Sequence, residues 1–177
     1  MTGKRLSQKQ LHETFLHDLG SVCQDVVDTG RKPLLMRLKY PFNRDVKVYV
    51  FNCTSPPGGR TYDEFKVQLI LDGQKRGERG RFDTSDGRTI LIVGYASPFA
   101  DSSEGIWVLF ETAKHMEFAY SANIQVYLRQ MLPTLEKGVH ICTKNNKETL
   151  VLSQRQHLQE ALSKRFDHDL ITMMEKL

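Results

Sequence analysis

Two segments of the chain, 64–71 and 120–128, alternate between apolar and polar side chains along most of their length. A period of two residues predicts a β-strand that buries one face and leaves the other face open. On the open faces, amide and hydroxyl groups predominate over carboxylates, and such groups both donate and accept hydrogen bonds. The polar residues of interest are Lys66, Gln68, Ser121, Asn123 and Gln125.

The first alternating strand follows another apolar strand that begins at Val46, and a stiff loop separates the two. This loop, PPGGR at 56–60, combines prolines that restrict the backbone with glycines that relax it, and Arg60 stands at its exit. We interpret the segment 46–71 as a hairpin around which the chain is organised. The loop is either an ordinary connection or an arm that projects an arginine beyond a sheet.

Periodic apolar residues near the N-terminus predict an amphipathic helix. Ser7 and Gln10 match a capping box, and apolar positions then recur every three or four residues until Gly30. We therefore predict a helix over 8–29 that packs its apolar stripe on a sheet. Three polar residues of this helix are expected at the surface, namely His12, His17 and Asp18.

The rest of the chain is predicted to form strands followed by a helical C-terminus. The pattern predicts a short strand at 34–38 within a basic connector, and apolar, β-rich runs predict buried strands at 89–95 and 106–110. A hairpin is predicted over 139–152 with its turn at 144–147. Ser153 and Gln156 match a second capping box, which predicts a helix to about Arg165 and a polar helix or tail to Leu177. The predicted fold is one α+β domain over residues 1–177, mainly β with flanking helices.

Composition is that of an ordinary globular domain. Of the 177 residues, 26% are charged and 40% hydrophobic, and no apolar run approaches the roughly 20 residues that span a bilayer. Without an apolar segment after the basic N-terminus, we predict a cytoplasmic protein with no membrane partner. Cys23, Cys53 and Cys142 lack CxxC spacing, so we expect free thiols and no metal site. No P-loop or dinucleotide-type glycine motif occurs, and we expect no cofactor.

Positive charge is concentrated in one segment. The net charge is +4, the pI is near 9.0, and the segment 74–81 (QKRGERGR) holds several basic residues against a single glutamate. Such a segment either forms a solvated turn or contacts phosphates. Its basic residues are Lys75, Arg76, Arg79 and Arg81. The pair Lys114 and His115 presents the same choice between a solvated turn and a contact to phosphate or base.

One motif indicates catalysis. Glu64 and Lys66 have the spacing of PD-(D/E)xK nucleases, in which carboxylates hold a divalent metal and a lysine assists the attacking water. This pattern also needs an upstream aspartate, and Asp45 is the candidate. A metal-dependent nuclease is therefore one alternative function, and a protein-interaction module without a nucleic-acid role is another.

Three segments taken together, GGRTYDEFKVQL, FDTSDGRTILIVGY and IWVLFETAKHMEFAYSANIQV, resemble the B3-like DNA-recognition domains of restriction endonucleases. The resemblance covers roughly residues 46–128. It implies a B3-like pseudobarrel of about seven strands, with two arms that enter the major groove of double-stranded DNA. It also implies a specificity domain of a restriction-modification system, whose nuclease is a separate domain or subunit.

The resemblance assigns the two arms to 58–68 and 114–125. Arginine can bond guanine and side-chain amides can bond adenine, so we expect base recognition from Arg60, Lys66, Gln68, Asn123 and Gln125. Contacts to the phosphate backbone are expected from Lys75, Arg76, Arg79, Arg81, Lys114, His115 and Ser121.

Four further residues lie within or beside the two arms in the sequence. Tyr62 and Tyr120 are expected to pack beneath the arms. Asp63 and Glu64 depart from a DNA-binding pattern, because carboxylates repel phosphate. We expect them to pair with Arg60 or Lys66, or to accept a hydrogen bond from a cytosine amino group.

Overall fold

The computed structural model describes residues 5–55, 61–99 and 103–177. The strands are β1 (Cys23–Val27), β2 (Leu34–Leu38), β3 (Arg44–Cys53), β4 (Glu64–Leu69), β5 (Gly80–Arg81), β6 (Thr89–Ala96), β7 (Ile106–Leu109), β8 (Glu117–Phe118), β9 (Ala122–Tyr127), β10 (Val139–Thr143) and β11 (Thr149–Gln154). The helices are α1 (Gln8–Leu19), α2 (Leu128–Met131), α3 (Thr134–Lys137) and α4 (Leu158–Glu175). Short 3-10 turns cover Gly20–Val22, Thr112–Lys114 and Arg155–His157.

Seven of these strands form one mixed sheet in the order β1-β2-β3-β6-β7-β11-β10. Neighbouring strands run antiparallel except β3 and β6, which pair in parallel. The remaining described strands form two-stranded ribbons, β4 with β9 and β5 with β8. The predicted class, mainly β with flanking helices, is therefore confirmed.

The central strands of the large sheet are buried on both faces, because helices cover one face and ribbons cover the other. Helices α1 and α4 pack on the first face around a core that includes Phe15, Trp107 and Phe166. The inner residues of β4 and β9 pack on the second face. Successive residues of β3 therefore enter different cores, which explains why residues 46–51 are all buried instead of alternating between buried and exposed.

The β4–β9 ribbon rests flat on the sheet through its apolar positions. Phe65, Val67 and Leu69 are buried on β4, and Ile124 and Val126 are buried on β9. The alternating burial along both strands matches the pattern predicted from the sequence. As a result, the polar positions of both strands point away from the sheet.

Gly94 of β6 allows this close approach of ribbon and sheet. A Cβ atom at this position would lie 3.0 Å from Val67 Cγ2 and 3.3 Å from Cys53 Cβ, which is tighter than ordinary contact. Glycine therefore lets Val67 sit directly over β6.

The segment 46–71 does not form the predicted hairpin. β3 belongs to the large sheet and β4 to the ribbon, and among the described residues their pairing is limited to an isolated bridge between Thr54 and Lys66. The two strands diverge because each has a better partner: β3 lies between β2 and β6, and β4 pairs along its whole length with β9. The predicted loop, including Arg60, lies outside the described residues.

The predicted N-terminal helix is too long. The capping box of Ser7 and Gln10 is present, but α1 ends at Leu19 because Gly20 adopts a positive φ of 66°. The chain then forms β1, which pairs antiparallel with β2. Val26, placed on the helical stripe by its spacing, is 41% exposed on this edge strand.

Two of the three polar side chains expected at the surface of α1 are buried. His12 is fully buried, and its Nδ1 lies 2.8 Å from Asp28 Oδ1. The carboxylate of Asp18 accepts hydrogen bonds from Trp107 Nε1 at 2.8 Å and from Arg155 Nη2 at 2.8 Å. These partners come from distant segments, so the pattern of α1 alone could not reveal them.

The second predicted capping box, that of Ser153 and Gln156, is wrong. Ser153 belongs to β11, where it lies opposite Val139 and Trp107 in the two neighbouring ladders. Helix α4 begins instead at Leu158 and runs without a break to Glu175, so the predicted helix to about Arg165 and the predicted helix or tail after it form one helix. Within the described parts of the chain, no helix is long and apolar enough to cross a membrane.

Candidate nucleic-acid interface

The outward side of the β4–β9 ribbon carries polar residues from both alternating segments. In the antiparallel ladder, Lys66 is directly opposite Gln125 and Gln68 is directly opposite Asn123. Residues that are directly opposite in such a ladder point to the same side of the ribbon. These four side chains therefore share one surface, which we call the outer face.

Ser121 extends the outer face at the start of β9. It adopts a positive φ of 64°, which turns the chain just before the strand begins. Its Oγ accepts a hydrogen bond from Gln68 Nε2 across the ribbon. The hydrogen bond holds the exposed amide of Gln68 in a defined position.

One end of the ribbon is closed by an arginine that the sequence interpretation did not select. Arg129 forms an ion pair with Asp63, and its guanidinium lies 4.1 Å from the centre of the Tyr127 ring. The negative charge of Asp63 is therefore balanced by Arg129. The partner of Asp63 is therefore not Lys66, one of the two residues predicted for this role, but Arg129, which follows the end of β9.

A cleft of about 420 Å³ opens beside the other end of the outer face. Lys66 and Gln68 line it from the ribbon, and Arg5 and Lys32 line it from the N-terminal region. Lys32 Nζ lies 3.9 Å from Asp72 Oδ1 and 5.0 Å from the centre of the Phe51 ring. Burial lowers the pKa of Lys32, Asp72 raises it, and the charge of Arg5 lowers it further.

The basic segment 74–81 follows β4 in the chain and ends in β5, so it connects a strand of one ribbon with a strand of the other. Lys75, Arg76 and Arg79 are exposed, and a turn closed by Glu78 N donating to Lys75 O at 3.0 Å shapes the loop. Arg81 is in β5, where its Nη1 lies 3.5 Å from Glu117 Oε1 on β8. The segment therefore presents several cations to solvent from a structured turn.

Lys114 and His115 differ in their surroundings. Lys114 is exposed at the end of a 3-10 turn. The His115 side chain is only 12% exposed, and its Nε2 lies 2.6 Å from Glu148 Oε2. Burial raises the pKa of Glu148, but hydrogen bonds from His115 and Lys144 outweigh burial and hold the pKa below its ordinary value. His115 therefore faces a buried carboxylate, and its contact to DNA stays a prediction.

The tyrosines beside the arms are arranged differently from the expectation. Tyr62 is 91% exposed, so it does not pack beneath the first arm. Tyr120 is half-buried immediately before β9. Arg60 lies outside the described residues, and its role stays a prediction.

The geometry separates the residues of the nuclease motif. Thr54 is bridged to Lys66, whereas Asp45 precedes Thr54 by nine residues of almost continuous strand. Nine extended residues span about 30 Å, so Asp45 and Glu64 cannot bind one metal ion. In the ranges 5–55, 61–99 and 103–177, no group of three or more acidic, histidine or cysteine side chains is arranged to hold a metal ion.

The sequence interpretation missed Arg5, Lys32 and Arg129. Arg5 and Lys32 precede the resembling segments, and only the folded chain brings them beside Lys66. The sequence predicts a short helix or turn at 129–137, which does not mark Arg129 as part of the interface; it lies in the short helix α2. The basic run RKP at 31–33 was the available signal for Lys32, but its position relative to the ribbon depends on the sheet order.

Comparison with known proteins identified one family. A protein-family model described as Methylase-associated X1 matches residues 44–162. This range begins with β3 and ends inside α4, so it contains the whole β4–β9 ribbon, whereas Arg5 and Lys32 lie outside it. No curated protein and no solved structure matched the chain.

Proposed function

This chain belongs to the Methylase-associated X1 family, and we propose that it binds double-stranded DNA in a sequence-specific manner. The family description links the chain to methylases, which suggests the context of a restriction-modification system. The observation that carries the proposal is the outer face, on which three amides and one ammonium group are aligned on two paired strands. Proteins recognise bases with groups of this kind.

The dimensions of the ribbon suit the major groove of B-form DNA. This groove is about 12 Å wide and admits a two-stranded β-ribbon, in which neighbouring strands lie about 4.8 Å apart. Ribbons that enter a groove in this way are an established mode of DNA recognition. We propose that Lys66, Gln68, Asn123 and Gln125 contact base edges, and that Arg60 joins them from the first arm.

Basic residues around the outer face are proposed to contact phosphates. Arg5 and Lys32 share a cleft with Lys66 and Gln68, so they would meet the backbone beside the bases that the ribbon contacts. The exposed turn after β4 would supply further contacts, together with residues of the second arm. The proposed phosphate contacts from these segments are Lys75, Arg76, Arg79, Arg81, Lys114, His115 and Ser121.

We also propose that the domain is structurally related to the B3-like pseudobarrels. This relationship is supported by a seven-stranded mixed sheet with additional ribbons on one face and helices on the other. A specificity module of this kind needs catalysis from another source. We propose a nuclease domain or subunit of the same restriction-modification system as that partner.

Selection from a randomised duplex pool tests the function. The protein is incubated with the pool at low salt, bound duplexes are amplified, and the cycle is repeated until the sequences converge. The proposal predicts one short enriched motif, bound with an affinity that falls as salt rises. Failure to enrich any motif would overturn it.

A second candidate, protein interaction without DNA, is favoured by apolar side chains at the end of α4. Leu170, Ile171, Met173 and Met174 are each more than half exposed. Removal of charge at Lys75 and Arg79 distinguishes the two functions. Binding to duplex DNA, binding to a protein partner and thermal stability are measured for each variant. If only binding to duplex DNA weakens, the DNA-binding function is supported; if no binding changes, the protein-interaction function is favoured.

A further inference from the structure

We propose that Gln68 and Asn123 recognise adenine, and that methylation of the adenine N6 atom prevents this recognition. The inference rests on the proposed DNA-binding function and adds the identity and modification state of the base. It follows from the chemistry of the outer face, where Gln68 and Asn123 form one cross-strand pair and Gln125 supplies a further amide.

An amide side chain is complementary to only one base in the major groove. Adenine presents an acceptor, N7, beside a donor, the N6 amino group, and an Asn or Gln amide can bond both atoms at once. Guanine presents two acceptors in the major groove, so one of them would repel the amide oxygen, which is itself an acceptor. Cytosine presents only an amino donor, and thymine presents an acceptor and a methyl group. A pair of exposed amides therefore favours adenine over the other bases.

The hydrogen bond to Ser121 prepares Gln68 for this contact. Gln68 Nε2 uses one hydrogen to donate to Ser121 Oγ. The amide keeps its second N–H and its Oε1, which are the donor and the acceptor that adenine N7 and N6 require. Ser121 thus fixes the orientation of the amide without consuming the groups that would contact the base.

Asn123 lies opposite Gln68 and is exposed on the same side. Its shorter side chain keeps its amide closer to the ribbon, so the two amides would stand at different heights in the groove. Both amides can then face neighbouring base edges of one site. The cleft that Gln68 shares with Arg5 and Lys32 brings positive charge to the same end of the ribbon.

N6-methylation removes the contact for a geometric reason. One N6 hydrogen of adenine is used in the base pair, and the other faces the major groove and is available to an amide oxygen. In a paired N6-methyladenine, the methyl group takes the place of this second hydrogen. The amide oxygen of Gln68 then loses its donor and meets a methyl group. A protein of a methylase-associated family could in this way distinguish unmodified from modified DNA.

The test uses three randomised duplex pools and the full chain. The first pool is made with ordinary nucleotides, the second with N6-methyladenine in place of adenine, and the third with 5-methylcytosine in place of cytosine. We expect a motif with at least one fixed adenine from the first and third pools. We expect no enrichment of that motif from the second pool, and a loss of affinity of about 5- to 150-fold when the fixed adenine is methylated.

A variant of the base-contacting amide makes the test specific. Gln68→Glu keeps the shape of the side chain and its oxygen acceptor but loses the N–H donor, so it should exchange one fixed adenine for cytosine, which offers only an amino group. Gln24→Glu is the matched control, because Gln24 is an exposed glutamine on the edge strand β1. The control should select the same motif as the unmodified chain. Thermal melting of each variant establishes that it is folded.

The outcomes separate this inference from the proposed function. An enriched motif without a fixed adenine, or an affinity that N6-methylation leaves unchanged, would overturn the adenine assignment while duplex recognition stands. An unaltered motif for folded Gln68→Glu would overturn the role of Gln68. Absence of any enriched motif from all three pools would overturn both the inference and the proposed function.

Discussion

Gln68 and Asn123 lie directly opposite each other across the β4–β9 ladder, although they come from distant segments of the chain. Neighbouring strands are about 4.8 Å apart, so the two amides are within reach of one ligand. The apolar residues on either side of Gln68, Val67 and Leu69, are buried against the large sheet. The position of both amides is therefore set by the packing of the ribbon.

Removal of either amide should weaken specific binding. We expect Gln68→Ala and Asn123→Ala each to cost about 1–3 kcal/mol on the selected duplex. Because the side chains are neighbours, the double variant should differ from the sum by about 0.5 kcal/mol or more. Fluorescence anisotropy at fixed salt measures these values, with Gln24→Ala as the control. Equal losses on the selected duplex and on a scrambled one would contradict base recognition.

The two faces of the ribbon could be predicted from the sequence because strand periodicity is local. Each polar position between 64 and 69 is flanked by an apolar one, and the same holds between 122 and 127. The partner of each strand is not a local property. The isolated bridge between Thr54 and Lys66 shows how β4 leaves its sequence neighbour, β3, and pairs with β9 instead.

Polar residues near the N-terminus show a different reason for failure. The spacing of apolar residues continues past Gly20, and only the positive φ of this glycine ends the helix. The helical pattern predicts Asp18 at the surface, but its carboxylate accepts hydrogen bonds from Trp107 and Arg155, which are far away in the chain. A local pattern cannot predict that a charge is buried when its partner comes from another layer of the fold.

The basic turn after β4 should determine much of the salt dependence of the affinity for duplex DNA. If Arg76 and Arg79 each neutralise a phosphate, replacing either by alanine should reduce the slope of log affinity against log salt by about 0.9. The loss should be the same for all duplex sequences, because phosphates carry no sequence information. Lys176→Ala is the control, because Lys176 is exposed immediately after α4, and this variant should leave the slope unchanged. An unchanged slope for the turn variants would show that the turn is only solvated.

Gly94 should be sensitive to substitution because it supports the ribbon. Gly94→Ala would place a methyl group 3.0 Å from Val67 Cγ2, and such overpacking typically costs about 1–3 kcal/mol of unfolding free energy. Adding Val67→Ala should recover part of this loss, since it removes the Cγ2 atom that the new methyl group would contact too closely. Chemical denaturation of both single variants and the double variant measures the recovery. Strictly additive losses would contradict the proposed contact.

Glu148 should make stability depend on pH. Its folded-state pKa is below the ordinary value of 4.5, so its contribution to stability is fully present above that pH and is lost as pH falls through the lower folded pKa. Glu148→Gln weakens the ion pairs with His115 and Lys144 and should destabilise the protein at neutral pH by about 1–3 kcal/mol. The difference from the unmodified chain should shrink in acid.

Denaturant titrations between pH 7 and pH 3 measure this difference. Glu136→Gln is the control, because Glu136 is exposed in α3. Its stability should follow that of the unmodified chain at every pH. A Glu148→Gln deficit that stays constant down to pH 3 would mean that the carboxylate charge is not the cause.

Disulfide cross-linking tests most directly whether the outer face enters the major groove. Gln68→Cys is prepared in a chain whose partly exposed Cys23 and Cys142 are replaced by serine, and a thiol is tethered to the selected duplex on either the major-groove or the minor-groove side. We predict rapid cross-linking of Gln68→Cys to the major-groove tether and slow cross-linking of Gln24→Cys to either tether. Preference of Gln68→Cys for the minor-groove tether, or equal rates for the two variants, would contradict the account.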